Sequence, residues 1–567
     1  FTPKNGIVFP KIMQSGSGGT TISGNNLKVD SLLVLNGTFN LGAGRTDSIG
    51  MMIDGQAGGT LHFGTSNLQV GMSSISFGSI GSIIPGSGEM QFTGDMQTFT
   101  PLAAGNPKLK KLGSANNLSI SGEHLRSPKL VIANGGVIFD STFNIDTIEV
   151  QSGASVNFGG MGPTAYNDTV KSIIGNGELN LGYYKTVVTG NIDLSPFSNV
   201  FGMSSAGFIF AAPSSVSYTH KDGLLLEYLE QKGPGTLNIS GNGFNVNELA
   251  LTGGTLNLSS SLNDTINHML TTAPGANLNI NNATLAIGAS FIDFGVLGSL
   301  TSAASGKLAF TGSIPQGFVP KGGATHPNIY INNIGGLACS INALNGNNIY
   351  LQSGTLTLAG NALTHSVDTI SGSSIIYFEG AKLAVKGNAD FTSMIGLSAV
   401  DASDTIIFNG TTGVQQFSPL SATNHPVIIH NGNSTLKLNA TALQTYGFKN
   451  SAGGLDFSAQ NISTVGGGDF SIINGTPSTI SNLGNSTISV SGAAHFSGQP
   501  GNLLNLDPVS NWNISTTNGL TADYATIANN TATGSTGNPS VNCVNGGSNT
   551  GWDWNKPTVT IVNPTNG

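Results

Sequence analysis

Hydrolysis of a glycosidic bond needs two carboxylates about 5–10 Å apart across the scissile bond, so the acids of the chain come first. The closest pairs in sequence are Asp401 with Asp404 and Asp140 with Asp146. Both lie in turn contexts, where an Asp side chain ordinarily accepts a hydrogen bond from a nearby backbone N–H, and neither is assigned a catalytic role. Glu227 and Glu230 stand in the run LLLEYLEQ, the most helix-like stretch of the chain, and read as a solvated face beside a short excursion. The nine histidines are scattered. His326 and His425 each precede a proline at the same point of a longer repeat, which assigns them to a turn rather than to a metal. Cys339 alternates with Leu337 and Ile341, which points it inward as a small apolar side chain, whereas Cys543 lies in a polar run. The two are 204 residues apart and no bridge between them is expected. Nor do two cysteines build a four-ligand zinc site without several histidines. A Gly-x-Ser-x-Gly elbow with supporting partners is missing, as is a helix to follow a phosphate-binding glycine loop. The expectation is a chain with no catalytic residue, no cofactor and no metal site, and not an enzyme.

The elements available to position any such group are short strands. Residues 21–41 read TISGNNLKVDSLLVLNGTFNL and residues 236–258 read TLNISGNGFNVNELALTGGTLNL. Each is a set of four- to six-residue apolar/polar alternations cut by Gly, Asn or Ser, the pattern of half-buried strands. Leu237 and Ile239 recur 19 residues later as Leu256 and Leu258, with Leu249 and Leu251 between them. Three short strands per roughly 20 residues make one rung of a parallel β-helix. The fold class expected is therefore all-β, a right-handed parallel β-solenoid of roughly 28 rungs and on the order of 130 Å in length at one strand spacing per rung.

A longer period sits above the rung. Phe92-Thr-Gly is followed by Gln97-Thr-Phe99-Thr-Pro101 and Asn106-Pro107. Phe310-Thr-Gly is followed by Gln316-Gly-Phe318-Val-Pro320 and His326-Pro327. Phe408-Asn-Gly is followed by Gln416-Phe417-Ser-Pro419 and His425-Pro426. A worn copy runs from Phe210 through Tyr218-Thr-His220. The anchors Phe92, Phe210, Phe310 and Phe408 are 118, 100 and 98 residues apart. Gly254-Thr-Leu256 and Gly354-Thr-Leu356 each lie 44 residues past their anchor, and Gly453-Gly-Leu455 falls near the same offset from Phe408.

These blocks resemble the modular solenoids of large secreted bacterial surface proteins, adhesin-like or structural, in which F-x-G … Q-x-F-x-P segments introduce each block and L-x-L-x-x-G-T-L-x-L follows. The resemblance covers most of residues 20–500 and implies an extracellular, cell-surface setting. The tryptophans Trp512, Trp552 and Trp554 all fall in the last tenth of the chain, and GGSNTGW at residues 546–552 resembles the segment that closes such stacks. A cap is needed because a last rung otherwise leaves its backbone groups unpaired; a tryptophan platform for sugars is the competing reading. The domains expected are an entry or cap segment at 1–20, the solenoid at 21–500, terminal rungs and a Trp-containing cap at 501–556, and a linker and strand at 557–567. Those last residues resemble the opening strand of an immunoglobulin-like module, and Val559 and Ile561 are candidates for a donated assembly strand. An opening Phe1-Thr2-Pro3-Lys4 without Met is expected of a processed form or of a piece of a longer protein.

Composition narrows the function. Only 8% of residues are charged, against about a quarter in an ordinary soluble domain. Arg45 and Arg126 are the only arginines. Nucleic-acid binding, which needs clustered Lys and Arg, is excluded as an expectation, and no apolar run reaches the 18 or more residues of a membrane span. Lyases of this shape resemble one another in pairing calcium-binding Asp clusters with a basic residue, and neither Arg45 nor Arg126 stands in a run of acids. The reading is an extracellular structural or adhesive solenoid, a subunit or rod segment of a cell-surface filament, sheath or coat. Its partners would be further copies of itself or neighbouring surface proteins, with surface polysaccharide as an additional candidate. The alternative is a carbohydrate-binding or polysaccharide-degrading β-helix using exposed aromatics such as Tyr183 and Tyr184.

Overall fold

A computed structural model describes residues 1–114, 116–122, 124–159, 168–259, 261–358, 360, 363–398, 403–473, 479–540 and 542–555. Every helix or strand among them is a strand, and the strands stack in parallel as a β-solenoid of about 25 turns with ~21-residue rungs. The count falls below the 28 expected because the mean rung is longer than 20 residues. The chain divides into two units, Phe1–Ala283 and Thr284–Gly567.

In the first unit, a seven-stranded parallel sheet runs from Ser74–Ser76 to Asn199–Phe201. Elsewhere Leu237 lies over Leu256 and Leu256 over Leu278, while Leu249 sits between Leu229 and Leu270. The 19-residue recurrence of the sequence is thus one rung. LLLEYLEQ is not helical. Leu226–Gln231 is a strand paired on one side with Gly207–Phe210 and on the other with Asn245–Leu251. Backbone partners on both edges outweigh the weak helix preference of Leu and Glu. Glu230 is accordingly buried rather than solvated.

In the second unit, a six-stranded parallel sheet runs from Asn424–His425 to Asn530–Gly534. Cys339 lies over Phe318 and under Leu358 in an inward column and is fully buried. Ile341 does not continue that alternation: the strand ends at Cys339, and Ile341 turns outward with φ 69° and 73% exposure.

The ~100-residue period is a recurring core cluster. Phe92 packs on Phe99 at 5.3 Å, Phe310 on Phe318 at 5.0 Å and Phe408 on Phe417 at 5.0 Å between ring centroids. A third ring, Phe77, Phe294 or Phe391, meets the second edge-on at 83–90°. Edge-to-face geometry is the arrangement aromatic quadrupoles favour. In the worn copy Tyr218 takes the second place, 5.5 Å from Phe210.

The glutamine of each block explains its neighbours. Gln97 donates from Nε2 to the carbonyls of Val70 and Met72, and Gln316 to those of Ile287 and Ala289. In the third block the same bracket is made by Gln415, on the carbonyls of Val385 and Gly387 at 3.0 and 2.9 Å. Gln416, which the sequence alignment placed in this role, is exposed. With a side-chain period of two, only the glutamine two residues before the inward Phe417 shares its face. The glycine after each anchor makes room for this amide: a Cβ on Gly94, Gly312 or Gly410 would press on the bracketing glutamine. Gly354, at φ +80°, lies where a Cβ would collide with the carbonyl oxygen of Asn333 on the preceding rung, so the G-T-L landmark is a backbone requirement.

Truncating the two adjacent glutamines separates these registers. Gln415→Ala leaves the Val385 carbonyl only its Asn409 N–H and the Gly387 carbonyl without a donor, and is expected to cost ~1–3 kcal/mol, whereas Gln416→Ala is expected to change stability by less than ~0.5 kcal/mol. Denaturant midpoints of the two variants check this; equal effects would refute the bracket.

Candidate functional site

Buried polar groups in this molecule tie one rung to another. His425 accepts the backbone N–H of Leu420 on Nε2 at 3.0 Å and donates from Nδ1 to the carbonyl of Gln444 at 2.9 Å. His326 makes the equivalent contacts with the Lys321 N–H, at 3.1 Å, and the Asn345 carbonyl, at 2.9 Å. Asn106 does the same work in the first block, accepting from Leu102 through Oδ1 and donating from Nδ2 to the carbonyl of Arg126. Both histidines are fully buried, and the two contacts hold each ring as the neutral Nδ1–H tautomer. Burial pushes the His425 imidazole down to about 4 and that of His326 in the same direction.

Buried aspartates bind the start of strands on other rungs. Asp168 accepts from the Phe143 N–H and Asp264 from the Phe244 N–H, each at 3.0 Å, one rung back. Burial pushes both carboxyls up to about 7, and the second oxygen of Asp264 faces no donor. Asp47 and Asp404 accept the Leu27 and Gly380 N–H groups in the same way. Asp404 is therefore committed to the backbone, and its sequence neighbour Asp401 lies outside the described residues. Asp140 is exposed and accepts from Ser119 at 2.5 Å; Asp146 is exposed also.

Outward positions form side-chain ladders. Asn279 donates to Asn257 at 2.9 Å and Asn257 to Asn238 at 2.8 Å in the first unit. Asn348 donates to Asn328 at 2.7 Å and accepts from Thr369 at 2.6 Å in the second. A charged group surrounds Tyr228, with the Lys185 ammonium 3.1 Å from its ring centroid and Glu248 next to it in register. Tyr228 and Thr252 donate to the two oxygens of Glu230 at 2.8 and 2.5 Å. Burial first, then the Glu230 carboxylate, raises the Tyr228 hydroxyl pKa. Glu230 is thereby satisfied at both oxygens. Among the described residues no group of three or more His, Cys, Asp or Glu could hold a metal ion.

Of the aromatics named from sequence, Tyr183 is 45% exposed and Tyr184 half-buried. Val559 and Ile561 lie outside the described residues. Trp512 is fully buried, donating from Nε1 to the Ala528 carbonyl at 3.1 Å, and Trp552 donates to Asn530 at 2.7 Å. Neither indole presents a free face of the kind a sugar platform needs.

Sequence reading missed a different aromatic pair. Tyr330 and Tyr350 are in register on adjacent rungs and stack at 4.7 Å with an interplanar angle of 23°. The Lys307 ammonium lies 5.5 Å from the Tyr330 ring centroid. Beside Tyr350 opens a groove of about 440 Å³ lined by Gln352, Ser371, Ser373, Asp390 and Ser393. The signal was present as Tyr-x at one-rung spacing, NIYI at 328–331 and NIYL at 348–351, 20 residues apart, but only the register shows that the rings touch.

Comparison with protein-family models, with curated proteins and with solved structures returns no match to this chain. Among the described residues no helix is long and apolar enough to cross a membrane.

The two kinds of buried titratable group act in opposite directions. For Asp168 and Asp264 the folded chain keeps protons that the unfolded chain releases above its ordinary value near 3.8. Their contribution is complete below that value and lost as pH rises through about 7. For His425 the unfolded chain binds a proton from about 6.5 downward that the folded chain refuses until about 4, so its contribution is present above 6.5 and lost as pH falls to 4. Asp168→Asn with Asp264→Asn is expected to gain on the parent between pH 5 and 8, and His425→Asn to lessen the loss between pH 6.5 and 4. Denaturant titrations across pH measure both. Cys339, whose thiol burial pushes up to about 12, is expected to resist thiol reagents in the folded chain while the half-buried Cys543 is labelled; mass spectrometry of the labelled peptides reads the difference.

Proposed function

We propose that the chain is an extracellular structural and adhesive solenoid, a scaffold segment or subunit of a cell-surface filament, sheath or coat, and that it is not an enzyme. The observation that carries this reading is the use made of the buried polar side chains. Gln97, Gln316 and Gln415, Asn106, His326 and His425, and the buried aspartates all bind backbone of a neighbouring rung. Groups that catalysis would need free and convergent are occupied in holding the stack. The outward Asn ladders and a charged fraction of 8% fit a surface that meets water and other chains without a strong field of either sign. The resemblance of the F-x-G … Q-x-F-x-P blocks to secreted bacterial surface solenoids supports the same setting, and the tryptophans near residues 512–554 are read as its cap.

Electron microscopy of the protein purified undenatured from its source tests the assembly half of this reading. Ordered filaments or sheets are the expected result, and particles that never associate at any concentration would sink it. Resistance to trypsin is expected as well, since 20 Lys and Arg serve 567 residues and stacked rungs open only at a large cost. Rapid digestion to small peptides under native conditions would count against a scaffold role.

A further inference from the structure

We infer that the groove beside Tyr350 is a binding site for an uncharged glycan chain, with the far face of the Tyr350 ring as its stacking platform. The inference goes beyond the scaffold reading and stands without it.

The outward column that carries the tyrosines determines the shape of the site. In register, Tyr330 is followed by Tyr350, Tyr350 by Ser371, and Ser371 by Asp390. The Tyr330 ring has the Lys307 ammonium near it and Tyr350 against it. Tyr350 is backed on that side only. The next rung presents Ser371, with a short side chain, and Gly372, with none, and Tyr350 lines the groove above them. Two rungs on stands the Asp390 carboxylate. The result is a slot about two strand spacings, or ~9.6 Å, from aromatic wall to acidic wall.

A pyranose ring has one face of C–H bonds and a rim of hydroxyls. Lying on Tyr350 at a carbon contact distance of ~4 Å, it would sit near the middle of the slot. Its rim would then face Asp390, Gln352, Ser371, Ser373 and Ser393, a set of donors and acceptors around one apolar platform. Asp390 is already oriented: its Oδ1 accepts from the Thr392 N–H at 3.1 Å and hydroxyl at 2.7 Å, which directs the carboxylate and leaves Oδ2 for a ligand hydroxyl. Stacking against Tyr330 likewise restrains the Tyr350 ring before any ligand arrives, lowering the ordering cost of binding.

Charge selects the class of glycan. Neither Lys, Arg nor His lines the groove, and its one ionic group is the Asp390 carboxylate. A uronate or sulfated sugar would meet a like charge on a chain of net charge −8, whereas neutral hexoses, pentoses or N-acetylhexosamines would not. Because Gln352, Ser373, Asp390 and Ser393 are all exposed, the slot is open at its rim and suits internal units of a polymer.

Affinity electrophoresis of the full chain through gels containing a soluble β-glucan, a xylan, a mannan or a galactan tests the site, with polygalacturonate as the anionic comparison. Retardation by at least one neutral polymer and none by polygalacturonate is expected. Tyr350→Ala should weaken it at least tenfold, Tyr350→Phe should stay within about twofold of the parent, and Tyr183→Ala should leave it unchanged. Ser371→Tyr replaces one rim hydroxyl and extends the ring stack into the slot, and should abolish retardation with the denaturation midpoint unaltered. Absence of retardation by all four neutral polymers would overturn the site. So would parental retardation of both Tyr350→Ala and Ser371→Tyr, and equal retardation by polygalacturonate would overturn the assignment to uncharged glycans.

Discussion

A backbone that climbs one strand spacing per turn satisfies its N–H and C=O groups only where consecutive turns run straight over one another. At the corners the strands end: the carbonyls of Val70, Ile287 and Val385 still accept a backbone N–H from the next rung, and those of Met72, Ala289 and Gly387, two residues on, are met by a side-chain amide. Leaving such a buried carbonyl unpaired costs ~1–3 kcal/mol. The glutamine brackets answer this constraint directly, since one primary amide offers two donors to two carbonyls a fixed distance apart. Gln97, Gln316 and Gln415 each close such a corner, and the phenylalanine triad of each block packs beside it. Once the corners are held, the straight segments can stack in register. The Asn ladders and the tyrosine pair on the outer face then follow from equivalent positions falling above one another.

That dependence decides what could be read from sequence. Strand period, rung length near 20 residues and the F-x-G … Q-x-F-x-P block all concern inward positions, where a repeated environment demands a repeated residue. The anchors Phe92, Phe210, Phe310 and Phe408 are all fully buried. The alignment failed where one residue of register was at stake, at Gln415 and Gln416, because both are glutamine and only the pleat distinguishes them. It failed again at LLLEYLEQ, where local preference points to a helix and the neighbouring rungs impose a strand. Ile341 kept the apolar type but lost the alternation at a turn. The third phenylalanine of each cluster, 15 to 17 residues before the anchor, was invisible because it comes from the previous rung. The glycan groove was invisible for a related reason: its walls come from four successive rungs, those of Tyr330, Tyr350, Ser371 and Asp390, so no continuous segment carries the whole lining.

The same interior gives the molecule two opposed responses to pH. Buried carboxyls at Asp168 and Asp264 favour acid, and the neutral imidazoles at His326 and His425 favour base. Each is bonded to the backbone of an adjacent rung, so protonation is coupled to the integrity of a corner.

The interchange of Asn106 with His326 and His425 at one position of the block has a further meaning. An amide and a neutral imidazole make the same pair of contacts, but only the imidazole can be disarmed by a proton. Stability in a stacked array is local, a matter of each turn and its neighbours. Acid would therefore not loosen this chain evenly. It would open the corners clasped by histidine while the corner clasped by asparagine stayed shut, so that the order in which the blocks come apart is written in which residue serves as the clasp.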